Sequence, residues 1–246
     1  MPNARKVMMP ALLMALSAGA QQGGDMQAQI LYAYQTEDTN HLSELIQDLN
    51  TRLKSQPADP SPRYHLAHAH YRLGQIGDAH GRDGESAYSD CVDDLKPVLR
   101  QDVKSVEALA LQSACYSSLA RSRTLEAVLL RSRAADRLQT AFKLAPRNPR
   151  VVYLLAMEQL AGSKPGSPER ARAIERLALA ARLFDDSSAT RVDAPGWGHA
   201  EAYLALGMEL QARGDRVGAR NWIEKSLIAA PDYKLAQRQL SVLTGR

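Results

Sequence analysis

Aromatic residues are scarce in this chain, at 5% of 246 residues with two Phe and two Trp. Long β-branched runs are missing as well, while Ala, Leu and Arg abound. Sheets draw on the scarce types and helices on the plentiful ones, so an all-α chain is predicted. Cysteine is nearly absent: Cys91 and Cys115 are the only two. There is no redox Cys-x-x-Cys, no Gly-x-Ser-x-Gly, no His-Glu-x-x-His and no phosphate-binding Gly loop. No catalytic set stands out, and the chain reads as a protein that is not an enzyme and needs no cofactor. A mean hydropathy of -0.35 argues against a polytopic membrane protein. The 45% hydrophobic content argues against wholesale disorder.

Excess charge is small too. The chain carries +4, and loss of Arg5 and Lys6 with a leader would leave +2. That gives little reason to expect nucleic acid as a partner. A leader is expected at residues 1–20. Arg5 and Lys6 head an apolar run from Val7 to Leu16, and Ala18-Gly19-Ala20 offers a cleavage site. Basic head, apolar middle and small-residue exit together read as a secretory signal peptide. The run is too short to remain as a membrane span, so no stable membrane insertion is expected after its removal. The mature chain is expected to be periplasmic or secreted.

The stretch from Ala200 to Asp232 is the most regular in the sequence. Tyr203, Leu206, Gly207 and Leu210 place large, large, small and large residues on one helical face. Gly214-Asp215 supplies a turn. Ala219, Ile223 and Ser226 repeat a small-large-small series, and Pro231 ends it. Two helices meet closely only where side chains are small, here Gly207 against Ala219. One such pair cannot bury its apolar face alone and must stack on neighbours. These slots resemble the tetratricopeptide repeat, a helix pair of about 34 residues.

The resemblance implies a right-handed α-solenoid of such pairs with a C-terminal capping helix. Residues 21–60 read as a degenerate N-terminal helix pair, 61–231 as four pairs and 232–246 as the cap. Gly74 to Glu85 and Asp185 to His199 read as long connections, and Pro97 is predicted to kink or split its helix. Ala145-Pro146-Arg147-Asn148-Pro149-Arg150-Val151, the Pro195-Gly196-Trp197-Gly198 loop and the last repeat also look like exported bacterial members of the group.

In that register Cys91 and Cys115 fall on adjacent helices, so a disulfide and two small packed thiols are both open readings. His65 and His68 lie about one helical turn apart and could share a metal, with His80, Asp83 and Glu85 folding back. Packed and solvated histidines are the favoured reading, with no metal site. Arg121, Arg123, Arg131, Arg133, Arg137, Lys143, Arg147 and Arg150 form a basic stretch. It reads as a solvated helix face, with an acidic partner or anionic lipid heads as the alternative. Asp93 and Asp94 are neighbours that point in different directions on a helix, and so do not form an acid/base pair.

The concave groove implied by the resemblance would be lined by His65, Arg72, Glu107, Leu154, Glu158, Leu204 and Met208. Trp197 either enters it or plugs the core between two units. The Lys and Asn that chaperone-binding members use to hold a terminal carboxylate are not at these positions. The function expected is a protein-interaction scaffold of the bacterial cell envelope, holding a peptide or protein segment in the groove. A small-ligand-binding accessory of an envelope transporter is the alternative.

Overall fold

The computed structural model describes residues 26–55, 60–188 and 196–245. The expected leader at residues 1–20 lies outside them. All regular structure among the described residues is helical. Helix α1 covers residues 26–35. It is followed by α2 (Thr39–Ser55), α3 (Pro60–Ala79), α4 (Glu85–Gln101), α5 (Val106–Ser122) and α6 (Ala127–Leu144). The chain continues through α7 (Pro149–Gly162), α8 (Pro168–Ser188), α9 (His199–Ala212), α10 (Arg216–Ala229) and α11 (Lys234–Thr244). Helices α3–α4, α5–α6, α7–α8 and α9–α10 pack as hairpin pairs, and each pair rests on the next.

Local chemistry sets the boundaries. Asn148 caps α7 by accepting from the amides of Arg150 and Val151, with Pro149 just inside, where its missing N–H costs nothing. Asp215 caps α10 through the amide of Gly218. The slots of the last pair fall where the two helices touch: Leu206, Gly207, Ala219, Ile223 and Ser226 are all buried. The Ser226 hydroxyl donates to the Ala200 carbonyl at 2.8 Å, which joins the foot of α10 to the start of α9.

Two expectations are corrected. Gly74 to Glu85 is not a long connection: α3 runs on to Ala79, leaving only residues 80–84 between the helices. Gly74 serves close packing, since a Cβ there would lie 2.7 Å from the Tyr88 ring of α4. Of the two outcomes expected at Pro97, the split does not occur: helix α4 runs unbroken to Gln101. The carbonyl deprived of its partner belongs to Asp93, an exposed residue. At the other long connection, α8 extends to Ser188, and residues 189–195 lie outside the described part.

Candidate functional site

The first helices of the pairs, α3, α5, α7 and α9, are buried on more than one face. In α5 twelve of seventeen residues are buried. The reason is that they face their own partners, their neighbours and a common interior. That interior is polar and aromatic. Arg72 of α3 is buried and pairs with Glu201 of α9 at 2.5 Å, across 129 residues of sequence. Its guanidinium also donates to His68 Nε2 at 3.0 Å and Gln75 Oε1 at 2.8 Å. The Tyr34 ring of α1 lies 4.2 Å from it, a cation–π distance. Beside it Glu107 of α5 holds Arg150 of α7 at 2.6 Å and Asn148 at 2.8 Å.

Trp197 is buried in this interior. Its indole N–H donates to Tyr64 Oη at 3.1 Å, and its ring lies 6.0 Å from that of His68. The turn that carries it depends on Gly198, at φ 100°, a conformation that side chains disfavour. A Cβ there would also meet the Phe184 ring at 2.7 Å. Glu201 accepts from the Gly198 amide at 3.0 Å, so one carboxylate fixes the turn and binds Arg72.

Helix α1 completes the filling. Its Met26, Ile30, Ala33 and Tyr34 share one apolar cluster with Leu66 and Ala69 of α3, Ala200 and Leu204 of α9, Tyr233 just before α11, and Ala236 of α11. Tyr34 and Tyr233 share a hydrogen bond at 3.1 Å between their hydroxyls. Just past α1, Glu37 takes a double hydrogen bond from Arg238 of α11 and lies 3.0 Å from His80 of the α3–α4 turn. The Arg238 hydrogen bonds hold the Glu37 carboxyl below its usual range. Helix α1 therefore ties the first units to the last.

Of the positions expected to line an open groove, His65, Arg72, Leu154, Leu204 and Trp197 are buried, and Glu107 is half-buried against Arg150. Glu158 and Met208 are exposed. An open trough is thus corrected to a face already covered by α1 and Trp197. Sequence reasoning missed Tyr34, Glu37, Glu201, Tyr233 and Arg238. Only Glu201 had a local signal, standing third in a helix where a carboxylate can reach back to the preceding amides.

The histidines go to separate places. His68 is fully buried against Arg72, and burial first, then the Arg72 charge, hold it well below its usual pKa, so it is neutral. His70 meets Asp94 of α4 at 2.8 Å, and Asp93 turns away to Lys96 at 2.6 Å. Among the described residues no group of three or more His, Cys, Asp or Glu is placed to hold a metal. Cys91 of α4 and Cys115 of α5 form a disulfide with Cα atoms 6.3 Å apart, both fully buried.

The solved structure of TTC0263, a thermophilic tetratricopeptide-repeat protein in Thermus thermophilus, is similar over 92% of this chain and 100% of that one. The TM-score is 0.60 at 18% sequence identity. This chain has the tetratricopeptide-repeat fold. The crystal structure of MamA covers 77% of this chain and 89% of its own, at a TM-score of 0.39 and 19% identity. That of YrrB, a tetratricopeptide-repeat protein with an unusual peptide-binding site, covers 93% and 97%, at 0.38 and 17%. No family profile matches the sequence, and no curated protein does.

Proposed function

We propose that this tetratricopeptide-repeat chain is a non-enzymatic protein-interaction scaffold of the bacterial cell envelope, and that its inner face takes a helical segment of a partner. One observation carries this reading: the inner face already grips a helix, α1, through an apolar cluster, a tyrosine pair and an aromatic contact with Arg72. A helix laid on such a face is held by anchors on one side, as α1 is held by Met26, Ile30, Ala33 and Tyr34. Export is supported by the basic-apolar-small pattern of residues 1–20 and by the Cys91–Cys115 disulfide, a bond that persists in oxidising compartments.

Because α1 is tethered by only the residues 36–38 turn, it competes at high local concentration. The partner's apparent affinity is lowered by the small fraction of time the face is free. Photo-crosslinking from Met208 in intact cells tests the reading. Tyr34→Ala with Ile30→Ala loosens α1 and should raise the yield of crosslinked partner above that of the parent chain. A yield of protein that does not respond to loosening α1 would remove the inner face as the site. A co-purifying small molecule with no crosslinked protein would favour a ligand-binding accessory instead.

A further inference from the structure

A second surface stands apart from the inner face. At the α5–α6 turn and the start of α6, Leu125 is fully exposed, Val128 is 81% exposed and Leu129 52%. Their neighbours Ala127 and Leu130 face inward and are buried, so the outward three form one projecting apolar ledge. The same stretch of sequence is rich in cations. Residues 121–147 hold seven Lys and Arg against two acids, Glu126 and Asp136, a net +5 where the whole chain carries +4. The rest of the chain is therefore net acidic by one, and this stretch is the basic part of the molecule. Arg131 and Arg133 are exposed beside the ledge. Arg123 is engaged by Glu85 at 2.6 Å, and Arg121 lies 3.6 Å from Asp78.

We propose that this ledge is a docking surface for an anionic phospholipid bilayer, with Leu125, Val128 and Leu129 entering the headgroup boundary and Arg131 and Arg133 meeting lipid phosphates. An interfacial helix combines these features: an apolar strip that enters the boundary and a cationic flank that meets anionic lipid. A second copy of the chain fits less well. Three such side chains offer roughly 300 Å² of apolar surface, whereas a stable protein interface takes about 800 Å² from each partner. The cations would also face each other across a two-fold contact. Docking of this kind does not require a spanning helix, and among the described residues no helix is long and apolar enough to cross a membrane.

The test is co-sedimentation of the leader-free chain with phosphatidylcholine vesicles, with and without phosphatidylglycerol. Binding is expected only with the anionic lipid, and it should weaken as salt is raised. The variant L125S/V128S/L129S should bind at least about tenfold more weakly. The variant R131E/R133E should do the same through charge alone. All five side chains are exposed, so circular dichroism and melting should match the parent. Failure of the parent chain to bind anionic vesicles would overturn the proposal, as would equal binding to neutral ones or binding that both variants retain. A dimer in sedimentation equilibrium that L125S/V128S/L129S dissolves would also overturn it, assigning the ledge to self-association. None of these outcomes depends on the inner face.

Discussion

Replacing Gly207 by Ala tests whether close approach of helices organises this fold. A Cβ at 207 would lie 2.6 Å from Ile223 Cγ1 and 3.0 Å from the backbone oxygen of Ala219. The first contact can shift with the side chain. The second cannot, because that oxygen belongs to the α10 ladder. In an unconstrained helix the substitution gains about 1 kcal/mol from reduced backbone entropy. Overpacking costs about 1–3 kcal/mol, so a net loss of about 1 kcal/mol is expected, and at most ~2. Gly162 is the control. It ends α7, and nothing lies within 4 Å of where its Cβ would be. Gly162→Ala should be neutral or stabilising by up to about 1 kcal/mol. The same chemical change thus acts in opposite directions at two sites. Urea midpoints followed by far-UV circular dichroism read the difference. Ile223→Ala, at a fully buried site, should itself cost about 2–5 kcal/mol. In that background Gly207→Ala should be milder by about 1 kcal/mol, since the new methyl enters the vacated space. Stabilisation by Gly207→Ala in the parent chain, or an effect that ignores Ile223, would refute the reasoning.

Three other outcomes are expected. Replacing both Cys91 and Cys115 by Ser should cost about 3 kcal/mol in the chain-entropy account of a bridge spanning 24 residues, read from melting with and without reductant. Arg72→Leu should cost about 3–5 kcal/mol by leaving Glu201 uncompensated in the interior. Arg72→Leu with Glu201→Leu should recover much of that loss, measured by denaturant unfolding. Stability should decline as pH falls below 6.5, the ordinary value for His68. The folded chain keeps this histidine neutral while the unfolded chain takes up a proton, so acid favours unfolding. His68→Gln should flatten that part of the pH profile of the melting temperature.

Much of the helical plan was legible because it is local. Tyr203, Leu206, Gly207, Ala219, Ile223 and Pro231 carry the repeat within about 34 residues, and Asn148-Pro149 and Asp215 mark helix starts through their own side chains. Gly74 was misread as a loop because glycine signals both a turn and a close contact. The ring it accommodates, Tyr88, is on the next helix. The expected groove positions other than Trp197 lie on α3, α5, α7 and α9, but their exposure was not legible, because what covers them comes from α1 and the residue 196–198 turn.

By itself the sequence determined that the chain is helical, where several helices begin, and which small residues let paired helices touch. Those properties depend on capping, spacing and side-chain size over a few turns. The tertiary structure alone decided that Arg72 meets Glu201, that Tyr34 meets Tyr233 across 199 residues, and that α1 covers the inner face. In a stack of repeats, small rotations between successive pairs add up and can bring distant units together. No local pattern records that sum.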